Sequence, residues 1–100
     1  MKSGYSLYWS AEALKNLRNI ISYLGNNWSE KEVRNFFTKL DRRLNLINLN
    51  PRLFPETEFK KNVRRSVLTK HIVIYYLFKR DVVKILTLFD TRQDPARLRL

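Results

Sequence analysis

The chain has no cysteine, one histidine, two glycines and three prolines among its 100 residues. Without cysteine there is neither a disulfide framework nor a thiolate metal site, and the lone His71 rules out a histidine cluster. With glycine only at Gly4 and Gly25, no glycine-rich phosphate loop can form. Long apolar runs are also missing. The longest, Ile72 to Phe78, falls far short of the roughly 20 residues that span a bilayer. The N-terminal Met1, Lys2, Ser3, Gly4 and Tyr5 lead into polar sequence without a signal-type apolar stretch, so the cytoplasm is the expected compartment. No cofactor or metal is implied.

Acidic residues are scarce too: 9 against 20 lysines and arginines, a net charge of +11. The excess is +4 over residues 1–50 and +7 over residues 51–100. Charge of this size favours association with a polyanion, whether RNA, DNA, anionic lipid or an acidic protein, without choosing among them. What the chain does have is a 44% hydrophobic and 13% aromatic share, enough for one real core and against global disorder. No repeat, low-complexity segment or linker divides it, and residues 1–100 read as a single domain.

The alternation of Tyr5 to Trp9 predicts a short strand. Ser10 reads as an N-cap, with Glu12 suited to the positive end of the helix that follows. Leu14, Leu17, Ile21 and Leu24 form one apolar stripe, and Gly25 is expected to stop that helix. Ser29 with Glu32 makes a capping box opening a second helix. Its stripe is Val33, Phe37, Leu40, Leu44 and Ile47, widened by Phe36, and Asn50–Pro51 ends it. A short joint favours an antiparallel helical hairpin. Three β-rich segments follow, Val63 to Leu68, Ile72 to Phe78 and Val82 to Phe89, with tight connections that predict an antiparallel meander. The last two are apolar on both faces and are expected centrally. Asp90 to Leu100 is expected to be irregular or a terminal turn. The class is α+β in the order β-α-α-β-β-β, with a helical hairpin on one face of a small antiparallel sheet and the opposite face open.

No nucleophile motif with a base and an orienting carboxylate is present. His71, at a strand start, reads as a turn or edge residue. Glu56 and Glu58 are an acid–base pair in principle but read as solvated loop charge. What remains is a basic set beside the strands: Lys60, Lys61, Arg64, Arg65, Lys70, Lys79, Arg80 and Lys84, then Arg92, Arg97 and Arg99. Phosphates need such groups. Tyr75, Tyr76 and Phe78 are candidates for base stacking, although alternation puts Tyr75 and Tyr76 on opposite faces. If Val63 and Val67 face the helices, Arg64 points to the open face and Arg65 snorkels or lies at the edge. Arg64 is then either functional or half of a structural ion pair.

Taken in order, several stretches resemble toxins of the RelE/ParE superfamily. They are Trp9 to Leu17 with Ile20 to Leu24 and Trp28, Pro51 to Pro55, Val63 to Val67, Ile72 to Tyr76, and Thr91 to Pro95. The resemblance covers nearly the whole chain and implies the toxin of a type II toxin–antitoxin pair, held by an acidic, amphipathic antitoxin in a hetero-oligomer. Two activities are associated with the superfamily. RelE-like members are metal-independent endoribonucleases that cut messenger RNA on the ribosome. ParE-like members inhibit DNA gyrase by binding. For a ribonuclease, the resemblance implies Lys60, Lys61, Arg64 and Arg92 as catalytic candidates. For target or nucleic-acid binding it implies Arg64, Arg65, Lys70, Lys84, Arg92 and Arg97. Ribonuclease members commonly carry His or Tyr at the end of the last strand. Here Leu88-Phe89-Asp90-Thr91-Arg92 has neither, and Asp90 places negative charge where a phosphate would lie. The likeness is therefore nearer the ParE-like branch, with messenger-RNA cleavage as the alternative.

Overall fold

A computed structural model describes residues 5–100; Met1 to Gly4 lie outside the described residues. The elements are β1 (Ser6–Trp9), α1 (Ala11–Asn27), α2 (Glu30–Leu49), β2 (Val63–Val67), β3 (Ile72–Lys79), β4 (Val82–Asp90) and a single 3-10 turn at Pro95–Arg97. The sheet order is β1-β4-β3-β2. The β2–β3–β4 meander is antiparallel, and β3 and β4 are its apolar centre. β1 adds parallel to β4, Leu7 opposite Val83 and Trp9 opposite Ile85, which makes the sheet mixed. A parallel neighbour requires a crossover, and the helical hairpin lies within that crossover. No helix among the described residues is long and apolar enough to cross a membrane.

Both helix starts follow from local chemistry. Ser10 accepts from the Ala13 amide at 2.9 Å, and Ser29 and Glu32 close a reciprocal capping box. Gly25 does not stop α1, which runs on to Asn27. Glycine costs a helix only about 1 kcal/mol relative to alanine, and the break comes at Trp28 and Ser29, where the second cap takes over. The buried stripe of α1 is rotated from the one expected, and that of α2 agrees except at Phe37. On α1 the core side is Ala13, Leu17, Ile20 and Leu24, while Leu14 is exposed. On α2 Phe36, Leu40 and Ile47 are buried and Phe37 is exposed.

The helical hairpin packs these stripes on Ile72, Ile74, Tyr76, Val83, Ile85 and Leu88. The face opposite the helices is only partly open. Val63, Val73, Tyr75 and Phe89 form a second buried cluster there, capped by Leu98 and Leu100 of the C-terminal segment. In that segment half-buried leucines alternate with exposed Arg97 and Arg99, so apolar side chains point down and guanidinium groups point out. Lys60 Nζ donates to the Leu100 main-chain oxygen at 2.7 Å and fastens the segment.

A bulge in β4 leaves Leu86 unpaired between Tyr75–Thr87 and Tyr76–Ile85. The first helix is sewn to this interruption. The Ser10 amide donates to Ile85 O at 2.9 Å and the Ser10 hydroxyl to Leu86 O at 2.7 Å. Asn16 Oδ1 accepts from Thr87 Oγ1 at 2.6 Å and from the Leu88 amide at 3.1 Å. Thr87 and Leu88 are both buried, so Asn16→Ala strands two donors away from water. It is expected to destabilise the fold by about 1–3 kcal/mol, read as a lower urea midpoint at unchanged m-value.

Tyr76, fully buried, donates its hydroxyl to Pro51 O at 2.7 Å. Burial pushes its pKa up to about 12 from the ordinary 10.0, against an opposing pull from Arg64. The folded state therefore holds this proton more tightly than the unfolded chain does. Its contribution is intact below pH 10 and is lost as pH rises through about 12. Tyr76→Phe is expected to cost about 1 kcal/mol at neutral pH and to flatten the alkaline loss of stability, measured by melting temperature against pH.

Candidate functional site: a divided basic surface

The cationic candidates occupy two ends and one face of the sheet. Lys60, Lys61 and Arg64 lie at the end where β2 begins and β3 turns into β4. Lys70, His71 and Arg92 lie at the other end, where the Thr91 amide donates to His71 O at 2.8 Å. Arg64 is opposite Tyr76 and Asp90 is opposite Ile72, a separation of roughly 13 Å along the strand at about 3.3 Å per residue. The sheet therefore does not bring Lys60, Lys61 and Arg64 together with Arg92.

Arg64 occupies the face opposite to the one its valine neighbours suggested. Val63 is buried in the cluster beneath the C-terminal segment, while Val67 is 53% exposed. Neither valine packs on the helices. Arg64 shares the helix-side face with its partner Tyr76, and its Nη1 donates to Phe54 O at 2.6 Å and Arg52 O at 3.4 Å. The phase is set by Ser66, which is buried and accepts from Arg43 Nη1 of α2 at 2.7 Å. A small hydroxyl under an arginine lets α2 approach β2 where a valine side chain would leave that donor unpaired. Arg65, opposite Tyr75, accordingly lies on the other face. It shares that face with Lys84, which is opposite Leu77 and Tyr8.

Tyr75 and Tyr76 are both buried and offer no stacking surface. Phe78 is half-buried, with Arg52 over its ring at 5.2 Å and Tyr5 edge-on at 5.2 Å.

At the far end Arg92 is committed to Asp90: Nη2 to Oδ2 at 2.6 Å and Nε to Oδ1 at 3.0 Å. That hydrogen-bonded fork holds the Asp90 carboxyl below the usual carboxylate range. Beside it lies a cavity of about 510 Å³ between the helical joint and the sheet. Ile20, Leu24, Trp28 and Phe36 line its apolar wall, and His71, Asp90 and Arg92 its polar rim. Tyr23 and Trp28 are 51% and 49% exposed there. The resemblance includes Trp28 but assigns it no role; its position between the end of α1 and the Ser29 cap is the sequence signal that it stands free of either helix's buried stripe.

The β2 edge is not free. The Thr57 amide donates to Val63 O at 2.8 Å and the Arg65 amide to Pro55 O at 3.1 Å. The loop thus blunts the edge as natural sheets commonly do. The outer edge of β1 is only four residues long.

A strand, a helical hairpin, a three-stranded meander and a strongly basic rim define a small α+β domain. The family model for the ParE toxin of type II toxin–antitoxin systems (parDE) matches residues 7–95. The chain belongs to the ParE toxin family. A solved chromosomal ParDE system from P. aeruginosa superposes with a TM-score of 0.73 at 13% identity, covering 89% of this chain and 98% of that one. The E. coli DinJ–YafQ toxin–antitoxin complex gives 0.64 at 10% identity, covering 89% and 94%. A conserved hypothetical protein of Helicobacter pylori gives 0.58 at 18% identity, covering 89% and 97%. At these identities the likeness speaks for the fold. None of the curated proteins matches the chain.

Arg64→Ala removes a charged donor from two loop carbonyls and is expected to cost about 1–3 kcal/mol. Arg65→Ala, with no such bond, is expected to stay within about 0.5 kcal/mol of the parent. Urea unfolding of both variants checks the assignment of faces.

Proposed function

We propose that this chain is a ParE-like toxin that arrests growth by binding DNA gyrase and is neutralised by a cognate acidic antitoxin. The observation that carries this reading, beyond family membership, is the Asp90–Arg92 fork at 2.6 Å. A cation already paired with a carboxylate stabilises a developing phosphorane poorly, because its charge is spent before the reaction begins. The separation of Lys60, Lys61 and Arg64 from Arg92 argues the same way against messenger-RNA cleavage. Binding by contrast needs no convergent set. Arg65 and Lys84 on the sheet, with Arg97 on the segment that covers it, offer a positive face to a target that carries DNA. Lys70, exposed beside His71, extends positive charge to the far end.

For the antitoxin, the cavity walled by Trp28, Phe36, Ile20 and Leu24 suits the apolar side of an amphipathic segment, and the +11 charge suits its acidic side. The blunted β2 edge makes groove docking the better fit than strand addition at that edge.

The reading is tested by adding the purified chain to gyrase and to translating ribosomes. Supercoiling is expected to slow, or cleaved DNA to accumulate, while ribosome-bound message stays intact. Message cut at codon-defined sites would replace this reading with the ribonuclease. Co-expression with a cognate acidic antitoxin is expected to restore growth and to co-purify the two. Trp28→Ala is expected to weaken that complex by about tenfold or more, as loss of a buried aromatic anchor commonly does.

A further inference from the structure

The end of the sheet away from Asp90 holds a second pocket, of about 340 Å³, that neither face of the proposed toxin surface uses. Its lining has four cations, Arg52, Arg64, Lys79 and Arg80, against two carboxylates, Glu56 and Asp81. Opposite charges at such density ordinarily pair. Here they do not: the ion pairs among the described residues are Arg34–Glu30 and Arg92–Asp90, both elsewhere. The cations are instead held by other means. Arg52 lies over the Phe78 ring at 5.2 Å, which orients its guanidinium by cation–π attraction. Arg64 is fixed through Nη1 alone, and its remaining guanidinium nitrogens make no hydrogen bond to the described residues. A planar fork with free donors is suited to an oxyanion.

The backbone adds an independent sign. Among the described residues three non-glycines have positive φ: Asn62 at 66°, Arg80 at 53° and Asp81 at 64°. All three line this pocket. Arg80 and Asp81 form the two-residue turn between Lys79 and Val82, where both central positions need positive φ and Asn-Gly is the favoured pair. Arginine is a poor choice there for folding. Its side chain adds a further cation to the lining of the pocket.

We propose that this pocket binds the phosphate groups of a nucleic-acid strand. A phosphodiester accepts several donors at once, as suits a pocket lined by four cations, whereas one carboxylate is satisfied by a single fork. Lys60 and Lys61 stand two and one residues before Asn62, so positive charge continues past the pocket. Repeated charge suits a polyanionic strand better than a solitary anion. The proposal goes beyond the toxin assignment and holds whichever target the toxin engages.

The test measures fluorescence anisotropy of short labelled single-stranded DNA and RNA of one sequence, titrated with the full chain across a salt series. Arg80→Gly is the diagnostic variant, because glycine accepts the positive φ and keeps the turn while the guanidinium is lost. Arg80→Gly and Arg52→Ala are each expected to weaken binding several-fold. Each should also lower the slope of log affinity against log salt by about 1. Lys39→Ala, exposed on α2, is expected to leave both unchanged. Amide shifts on adding oligonucleotide are expected to concentrate at Asn62 and at Lys79 to Asp81. Tighter binding of DNA or of RNA identifies the source of the phosphate. Unchanged affinity in Arg80→Gly, an equal loss in Lys39→Ala, or displacement of the oligonucleotide by polyglutamate at lower charge concentration would each overturn the assignment.

Discussion

The architecture depends on the seam between residues 10–16 and residues 85–88. The bulge at Leu86 breaks the β3–β4 ladder and leaves backbone groups in the middle of the sheet without a strand partner. A buried polar group without a partner costs more than a typical hydrogen bond contributes. Ser10 and Asn16 supply the partners, and they do so from positions fixed by helix geometry. Ser10 is at the same time the cap of α1, accepting from Ala13. One side chain thus starts the helix and fixes its height against β4. With α1 placed, β1 is drawn alongside β4 in parallel, and α2 follows through a two-residue joint.

That arrangement has a consequence for charge. The helices cover one sheet face and the leucines of the C-terminal segment part of the other, so the cations cannot collect in a single open cleft. They are distributed to the two ends, to the uncovered part of that face at Arg65 and Lys84, and to the outer side of the segment. At one end Asp90 neutralises Arg92. At the other, Glu56 and Asp81 stand among four cations without pairing. The two ends therefore differ in chemistry although both are basic in sequence. One is an apolar cavity with a closed ion pair at its rim, and the other a polar pocket with donors to spare.

Much of the fold was legible from residue patterns because the governing effects are local. The caps at Ser10 and Ser29, the stop at Pro51 and the tight turns between strands depend on neighbours in the chain, and these agree with the structure. Gly25 misled because its cost is small and the next cap is stronger. The shift of the α1 stripe, Leu14 out and Ala13 in, and the exposure of Phe37 beside an otherwise expected α2 stripe depend on what each helix packs against, which periodicity does not specify. The candidate site was less legible for the same reason. Strand alternation placed Arg64 and Arg65 on opposite faces but could not assign them. The assignment came from Arg43, 23 residues before Ser66, and from the leucines at the end of the chain. The pocket around Arg80 draws on three segments, and the single sequence-level sign of it was an Arg-Asp pair where a hairpin turn favours Asn-Gly.

The positive charge also bears on stability. An excess of +11 on a domain of this size repels itself, and the compact state carries that repulsion more than the unfolded chain does. The cations at the β3–β4 turn add to it, and the positive φ of Arg80 adds backbone strain in the same place. A partner that brings negative charge to the folded form removes part of this penalty as it binds. Because it binds the folded state and not the unfolded one, its affinity adds to folding stability as the logarithm of its concentration over its dissociation constant. For a chain of the ParE toxin family, the antitoxin and any polyanionic target compete for the same electrostatic relief. Occupation by one lowers the gain available to the other even where their contact surfaces do not overlap. If the proposed antitoxin is acidic, its binding is therefore partly a long-range effect of charge, and it weakens with added salt as screening shortens its reach.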